Sequence, residues 1–431
     1  MECRPGTGYH RAHAQEHTVL TTHSNSLLAC PVCASIQSCP IDHDDCRREC
    51  CCCGHVLSIH YAGWFQVCLA FTLTALVMFV IAMAKPFLGI EAIGFAQQTH
   101  LLSGVYALYD SGHWPLASLV LLTVFVFPLV EISVLLTVLL SVQFDSRNAF
   151  FRPALVILER IRPWNMLEIF LLGVVVTAFK LGDLATLVPG IGMAAFAALV
   201  IVLIVVQVRL DHAVLWHWWN PANCFDVEEG QRVVACTTCH ALLGHKRWLQ
   251  DPKCPRCHGH VVFRIPNSVE KSAAFLLAAV VLYIPANILP IMQVTSFGSS
   301  SDATILGGVV ELFHGGAWFV AGVVFSASVI VPIAKMVVMA YLLWSTQRLP
   351  KRSRRWRTAA FKVTEFIGRW SMVDVFVVTL LVAMVQFGLV MNVQVGAALI
   401  AFASVVVLTM LAAETFDPRL LWAGHYDYPR A

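Results

Sequence analysis

The chain has 431 residues, of which 58% are hydrophobic and only 13% are charged, and its mean hydropathy is +0.72. Soluble globular proteins carry about 25% charged residues, so this composition excludes a soluble protein and indicates that most of the chain is solvated by lipid. The net charge of +3 at pH 7 gives no reason to expect a nucleic-acid partner.

The chain begins with a polar segment and then a cysteine-rich one. Residues 1–26 are polar and contain four histidines, and we expect a disordered tail there. Residues 27–60 contain Cys30-Pro-Val-Cys33 and, sixteen residues later, Cys50-Cys-Cys-Cys53. Two Cys-x-x-Cys motifs supply four thiolates that can close a tetrahedral zinc site. In this first cassette Cys46, Cys51 or Cys52 could replace Cys50 or Cys53 as a ligand.

Four apolar stretches follow within residues 61–216. They predict helices over about 65–84, 115–142, 166–179 and 189–208. The first is uncharged and about twenty residues long, which is enough to cross the roughly 30 Å of hydrocarbon in a bilayer.

A second cassette, residues 217–266, separates these helices from four more. It reads Cys236-Thr-Thr-Cys239 and, fourteen residues later, Cys254-Pro-Arg-Cys257. A closed four-cysteine site has no open position for water or substrate, so we expect structural zinc in both cassettes, with rubredoxin-like iron or labile thiols as the alternatives. Within residues 267–422 helices are predicted over about 273–292, 317–344, 371–390 and 393–413, before a short polar tail at 423–431.

The two halves of the chain align in a nearly constant register. Cys30 and Cys33 precede Cys236 and Cys239 by 206 residues. Identities at an offset of 204 and then 206 include Gly104/Gly308, Trp114/Trp318, Pro128/Pro332, Trp164/Trp370 and Asp211/Asp417. We therefore predict an all-α polytopic membrane protein of eight transmembrane helices, built as two parallel four-helix repeats that each follow a zinc-ribbon-like cassette of four cysteines.

The distribution of basic residues predicts the orientation. The loops at 147–162 and 348–362 are rich in Lys and Arg, whereas those at 87–113 and 293–316 contain neither. The positive-inside rule then places both cassettes and both chain termini in the cytoplasm.

Intramembrane polar residues are the candidates for function, because a charge inside the bilayer is costly. Lys335 lies about ten residues from the cytoplasmic end of its predicted helix, roughly 15 Å deep. Ser328 is two turns away on the same face, and Asp374 and Thr409 lie near the inner ends of the next two helices. These four form a candidate polar track for proton relay or headgroup contact. The alternative is a buried Lys–Asp pair that only fixes helix packing.

The first half carries different groups at the aligned positions. Glu131 stands at the position of Lys335, and Glu168 at that of Asp374. Lys180 and Asp183 are three residues apart and can pair locally. A buried Glu131 needs a proton or a partner, whereas Glu168 fits a solvated helix end. We treat these four residues as secondary candidates.

Motifs for ATP-driven or hydrolytic chemistry are missing from the sequence. There is no Gly-x-x-x-x-Gly-Lys-Ser/Thr loop, no Gly-x-Ser-x-Gly and no His-Glu-x-x-His. We therefore expect a protein that is not an enzyme.

Three stretches carry a family resemblance. They are Tyr283-Ile-Pro-Ala-Asn-Ile-Leu-Pro-Ile-Met292, Glu365-Phe-Ile-Gly-Arg-Trp-Ser-Met-Val-Asp-Val-Phe376, and Val407-Leu-Thr-Met-Leu-Ala-Ala413 with Phe416-Asp-Pro-Arg-Leu420. With these stretches, the chain from Leu27 to Trp422 resembles the paraquat-inducible protein A family.

That resemblance implies an inner-membrane protein of Gram-negative bacteria that works with an MCE-domain partner forming a periplasmic tunnel. Together they would move phospholipids between the inner and outer membranes. The family's polar track maps onto Ser328, Lys335, Asp374 and Thr409. Our leading hypothesis is a lipid-transport subunit that could be coupled to protons through this track, and the rival is a scaffold that only anchors the tunnel partner.

Overall fold

A computed structural model describes most of the chain. It covers residues 25–40, 46–61, 63–92, 95–110, 112–181, 186–222, 224–226, 233–296, 299–314, 316, 318–348, 354–373, 375–377, 379–380 and 391–422. The predicted N-terminal tail lies outside the described residues up to residue 24, as does the tail at 423–431. Asn25 and Ser26, expected in the tail, instead begin a strand of the first cassette.

Seven helical stretches in the described part are long and apolar enough to span a membrane. They are Trp64–Ala84, Trp114–Gln143, Phe151–Ala178, Ile191–Arg209, Ser268–Ile288, Ser326–Thr346 and Ala397–Thr415. Each overlaps one predicted helix. The eighth prediction, 371–390, falls largely outside the described residues, which there include only 371–373, 375–377 and 379–380.

The first half contains eight helices in its described part. They are α1 (Trp64–Ala84), α2 (Ser103–Asp110), α3 (Trp114–Val120), α4 (Phe127–Gln143), α5 (Phe151–Ile161), α6 (Leu167–Leu181), α7 (Ile191–Arg209) and α8 (His212–Trp219). The described remainder adds α9 (His245–Gln250), α10 (Ser268–Ile288), α11 (Ile305–His314), α12 (Trp318–Phe325), α13 (Val331–Arg348), α14 (Arg354–Trp370) and α15 (Ala397–Thr415).

Two of the spanning helices contain a π-helical segment just before a proline. Leu121–Val126 precedes Pro128, and Ser326–Ile330 precedes Pro332. Proline lacks the N–H that a helix needs and crowds the preceding turn, and a wider π turn accommodates both effects. The helix therefore continues through each proline.

The two loops expected to be basic are largely helical, which corrects the sequence prediction. In α5 the buried residues Phe151, Ala154, Leu155 and Leu158 follow the i, i+3, i+4, i+7 spacing of an amphipathic helix. The helix α14 buries Phe361 and exposes Trp356 and Phe366 on another face. Their many Arg and Lys residues hid this periodicity.

The all-α expectation is also incomplete, because the described part contains five small sheets. The first cassette has the hairpins β1–β2 (Asn25–Ala29, Ile36–Pro40) and β3–β4 (Cys46–Glu49, Val56–His60). The second has β8 (Cys224–Phe225), β9 (Val233–Ala235) and β10 (Leu242–Gly244) in the order β8-β10-β9. Strands of two to five residues are too short to give a periodic signal of their own.

The other two sheets lie at the helix ends opposite the cassettes. Their strands are β5 (Leu88–Ala92), β6 (Phe95–Thr99) and β7 (Thr186–Pro189) in the first half, and β11 (Met292–Ser296), β12 (Ser299–Ala303) and β13 (Met391–Val395) in the second. Both sheets are antiparallel, with orders β6-β5-β7 and β12-β11-β13. The helix expected to begin near Val393 therefore begins at Ala397, because β13 pairs with β11.

A glycine follows the third strand of each of these sheets. A Cβ on Gly190 would lie 2.2 Å from the carbonyl oxygen of Pro86, and one on Gly396 would lie 1.9 Å from that of Pro290. Neither position tolerates a side chain, because the chain passes directly over the start of the sheet. The same close approach thus fixes α7 and α15 to their sheets.

The two halves meet along a surface that we call the seam. There α6 packs against Phe376 and Val377, and the rings of Phe170 and Phe376 make an edge-to-face contact with centroids 5.5 Å apart. Gly173 permits this approach, since a Cβ there would lie 3.1 Å from that of Phe376. One apolar core includes both rings and continues into both halves.

The cassettes cross over between the halves. The first cassette packs on α10, α13, α14 and α15 of the second half, where Arg419 Nε donates to Pro31 O at 3.3 Å and Arg355 Nε to Cys52 O at 3.2 Å. The second cassette packs on α1, α4, α5, α7 and α8 of the first half, and Arg256 Nε donates to Trp216 O at 3.0 Å. Each cassette therefore rests on the bundle that it does not immediately precede in the chain.

Candidate metal centres and intramembrane polar site

The structure gathers both predicted cysteine quartets. In each, all four Sγ atoms lie within 4.8 Å of one another. Cross-motif Sγ–Sγ distances are 3.5 Å for Cys30–Cys53 and Cys33–Cys50, 3.5 Å for Cys236–Cys257 and 3.4 Å for Cys239–Cys254. In the first cassette Cys50 and Cys53 join the cluster, whereas Cys51 is exposed and outside it.

The local backbone explains why each Cys-x-x-Cys motif turns its thiols inward. The N–H of Cys236 donates to Ala241 O, and that of Cys254 to Gly259 O, both at 2.9 Å. His240 and His258 take left-handed φ angles of 56° and 57° one residue after each motif. Four thiolates bound to zinc at about 2.3 Å would be about 3.8 Å apart in a tetrahedron. The donor type and spacing therefore fit a four-thiolate metal site that leaves no ligand position open.

The buried carboxylate of the first half has two amide partners. Glu131 is 2% exposed, and its Oε2 accepts a short hydrogen bond from Asn165 Nδ2. Its Oε1 accepts a hydrogen bond from Gln207 Nε2 at 3.3 Å. Both carboxylate oxygens are thus satisfied, as buried polar atoms require. Sequence reasoning expected that Glu131 needs a partner but missed both amides.

Arg162 is held close to this carboxylate from the cassette side. Its Nη1 donates to His212 Nε2 at 3.2 Å, and its Nη2 donates to Gln207 O at 3.2 Å. Burial, and then the positive charge of Arg162, lower the pKa of His212 to about 4. His212 is therefore neutral at physiological pH and can accept this hydrogen bond.

Of the other secondary candidates, Glu168 lies beside this cluster and lines a small space with Arg162, Asn165 and Gln207. Glu168 is exposed in the first turn of α6, where a carboxylate interacts favourably with the helix dipole. Lys180 lies at the end of α6, and Asp183 falls outside the described residues.

The polar track of the second half is only partly within the described residues. Lys335, Ser328 and Thr409 are all buried, while Asp374 lies outside the described part. Ser328 Oγ donates to Val324 O at 2.8 Å and Thr409 Oγ1 to Val406 O at 2.9 Å, each within its own helix. Lys335 is 3% exposed, and its Nζ has no hydrogen-bond partner among the described residues.

Lys335 lines a cleft at the seam that we call the central cleft. This space of about 350 Å³ is bounded by residues of both halves. The first half contributes Arg162, Pro163, Trp164 and Gln207, and the second contributes Lys335, Thr364, Glu365, Gly368, Met410, Ala413 and Glu414. Gly368 leaves room for the lysine, since a Cβ there would lie 2.8 Å from Nζ.

A second space at the seam, which we call the apolar groove, has a volume of about 580 Å³. Its lining consists of Leu172, Val176, Trp318, Gly322, Ser326, Ala327, Val331, Trp370 and Val373. Val331 precedes Lys335 by one helical turn on the same face, so the groove begins next to the central cleft. Both spaces depend on contacts between the halves, which the sequence pattern did not predict.

Comparison with known proteins identifies the family. The family described as "Paraquat-inducible protein A" matches the chain twice, at residues 65–220 and 269–426. The chain belongs to the paraquat-inducible protein A family. This confirms the resemblance found in the sequence. The two matched segments begin 204 residues apart (269 − 65) and end 206 apart (426 − 220), the same offsets as in the internal alignment.

Relatives in the family are named as transport proteins. The chain is 32% identical to "Intermembrane transport protein PqiA" of Escherichia coli strain K12 over 413 residues, 93% of this chain and 96% of that protein. It is 34% identical to "Lipophilic envelope-spanning tunnel protein A" of the same strain over 358 residues, 83% and 81% of the two chains. A "Probable intermembrane transport protein" of Haemophilus influenzae is 28% identical over 410 residues, 94% of this chain and 98% of that protein. No solved structure matches the chain.

Proposed function

We propose that this protein is the inner-membrane subunit of an MCE-type lipid transport system. It loads or extracts phospholipids that a periplasmic MCE-domain tunnel protein carries between the inner and outer membranes. The main observation in support of this function is the central cleft. There, buried Lys335 adjoins a groove that is lined mainly by apolar residues at the junction of the two halves. A charged group beside an acyl-sized groove suits a molecule with a charged head and an apolar tail. The names of the relatives support the same role, and none of the quoted names is that of an enzyme.

The proposed architecture is eight transmembrane helices in two parallel repeats, 61–216 and 267–422, that follow cassettes at 27–60 and 217–266. The matching sheets, the two π segments and the family match to both halves support it. Phe170 and Phe376, aligned at 206, contact each other at the seam. A contact between equivalent residues is what a two-fold axis produces.

The proposed orientation places both cassettes and both termini in the cytoplasm, following the positive-inside rule. Each quartet would hold one structural zinc ion through Cys30, Cys33, Cys50 and Cys53 or Cys236, Cys239, Cys254 and Cys257. Zinc bound to four thiolates supplies a crosslink in a reducing compartment and no catalytic position. The ions would fix the two cassettes that brace the opposite bundles.

The proposed energy source is a proton exchanged at Lys335 and Asp374, with Ser328 and Thr409 lining the same polar track. Lys335 is buried in a membrane-spanning helix and has no hydrogen bond among the described residues, and ionisable residues inside the membrane often belong to proton relays. The sequence contains no Gly-x-x-x-x-Gly-Lys-Ser/Thr loop, and this motivates the proposal of proton coupling.

Phospholipid transfer between the inner and outer membranes of living cells tests this function. Cells that lack the chain should transfer lipid normally again when given the native gene, and should fail to do so with Lys335→Met or Asp374→Asn. Lys271→Met removes an exposed lysine of α10 and serves as the matched control. Native transfer by both track variants at normal protein levels would contradict a role for the track.

One observation favours the scaffold alternative, namely the crossed cassettes, which tie the halves into a braced unit. A scaffold that only anchors a tunnel partner needs no lipid of its own. Phospholipid that co-purifies with the isolated chain at a fixed ratio would count against a scaffold, and a lipid-free chain would support it.

A further inference from the structure

The two walls of the central cleft differ at aligned positions. At the 206-residue offset Arg162 aligns with Gly368, and Gln207 with Ala413. All four residues line the cleft. At both positions the first half has a long polar side chain and the second half has a small residue. The wall from the second half is therefore less bulky at these two positions, and Gly368 leaves room for the Lys335 side chain.

The cleft also combines opposite charges. Arg162 and Lys335 contribute cations, and the exposed residues Glu365 and Glu414 contribute carboxylates. A buried ammonium costs several kcal/mol unless an anion compensates it. A phosphate group compensates such a charge well, because its oxygens accept strong hydrogen bonds from Lys and Arg. The nearby pair of carboxylates then disfavours a ligand whose headgroup carries a second negative charge, and it favours a ligand whose headgroup carries an amine.

The groove extends this polar cleft with an apolar lining of suitable length. From Val331 back to Trp318 is thirteen residues of helix, or about 20 Å at 1.5 Å per residue. One leaflet of a bilayer is about 15 Å of hydrocarbon, half of the roughly 30 Å core. The groove is thus long enough for one acyl chain. Ser326 is its one hydroxyl-bearing side chain in the described part.

We propose that the central cleft and the apolar groove form one binding site for an amine-bearing zwitterionic glycerophospholipid. Arg162 and Lys335 bind the phosphate, Glu365 and Glu414 face the headgroup ammonium, and an acyl chain lies along the groove towards Trp318. This site rests on the proposed transport function and names its substrate class.

Photocrosslinking tests the site in the full-length protein. The probe is a phosphatidylethanolamine with a diazirine in one acyl chain, added to nanodiscs of phosphatidylethanolamine and phosphatidylglycerol, and adducts are mapped by mass spectrometry. Adducts should concentrate at Ser326, Ala327 and Val331. Gly322→Trp, which fills the groove, and Lys335→Met should each reduce them about tenfold, the equivalent of about 1.4 kcal/mol of binding.

Two controls decide between the site and its alternatives. Val337→Trp enlarges a residue that is 61% exposed on α13 and does not line the groove, so it should leave the adducts unchanged. Equal labelling around Val337 and Ala327 would mean ordinary bilayer contact and would overturn the site. Displacement of the probe by millimolar inorganic phosphate would reveal a free-phosphate site and overturn the lipid assignment. A probe with a phosphatidylglycerol headgroup should label less, and stronger labelling would refute the amine preference.

The outcome separates this site from the function on which it rests. Native phospholipid transfer in cells by a chain that shows no groove adducts would reject the site and leave the transport function standing. The opposite result would be adducts in the groove of the purified protein together with unchanged lipid transfer in cells that lack the protein. That result would reject the transport function and leave the binding site standing.

Discussion

The two halves bury opposite charges at aligned positions, and these charges differ in their hydrogen bonding. In the first half, Asn165 and Gln207 satisfy both oxygens of Glu131. In the second half, Lys335 has no hydrogen bond among the described residues and lines an open cleft. A fully bonded buried charge fixes a packing arrangement, whereas an unbonded one is available to a proton or a ligand. We therefore propose a structural role for the first site and a functional role for the second.

The largest expected loss of stability concerns the cassettes, because each of them packs on the opposite bundle. Cys239→Ser should remove zinc from the second cassette and unfold it, because zinc binding contributes about 10–16 kcal/mol to small zinc domains. Since that cassette packs on the first half, amide hydrogen exchange should rise in α1 and α7. Cys33→Ser should instead raise exchange in α10 and α15.

Cys51→Ser is the matched control for the cysteine variants, because Cys51 is exposed and outside the cluster. It should retain two zinc ions and the native exchange pattern. Faster exchange in the bundle adjacent in sequence, instead of the opposite one, would contradict the crossed arrangement.

The next largest loss of stability is expected when the hydrogen bonds to Glu131 in the first half are broken. Asn165→Leu leaves one oxygen of the buried Glu131 without its donor, which should cost about 2–3 kcal/mol. Thermal unfolding of the purified protein measures the loss. At the aligned position Ser371 Oγ donates to Gly368 O, a neutral acceptor, so Ser371→Ala should cost about 1 kcal/mol or less. Equal losses in both variants would remove the distinction between the halves.

A smaller effect follows from narrowing the central cleft. The Cβ of Gly368→Ala would displace the Lys335 ammonium, so lipid transfer should fall about fivefold, or about 1 kcal/mol, with little change in stability. Gly308→Ala is the control, because nothing lies within 4 Å of its Cβ. Transfer at the native rate by the Gly368 variant would mean that the position of Lys335 is unimportant.

Much of the membrane fold could be predicted from the sequence, because each signal is local. The apolar stretches predicted the seven described spans, and the Cys-x-x-Cys motifs predicted the two quartets. The sequence left Cys46, Cys51 and Cys52 open as alternative ligands, and the structure places Cys50 and Cys53 in the quartet. Such features depend on spacing along the chain, and they remain the same however the helices pack.

The features that the sequence did not reveal depend on packing between distant segments. Asn165 and Gln207 resemble ordinary polar residues at helix ends until folding brings them to Glu131. The crossing of the cassettes cannot be inferred from chain order, which places each cassette before its own repeat. The central cleft needs both walls, because Arg162 and Gln207 of the first half line it together with Gly368 and Ala413 of the second half.

The most direct test of the account measures phospholipid transfer and thermal stability together in Lys335→Met. Removing a buried ammonium without a hydrogen bond in the described part should leave the melting temperature unchanged or higher. Transfer at matched protein levels should fall about tenfold or more, which corresponds to about 1.4 kcal/mol. Native transfer, or a lost transfer accompanied by a melting temperature as low as that of Asn165→Leu, would contradict the account.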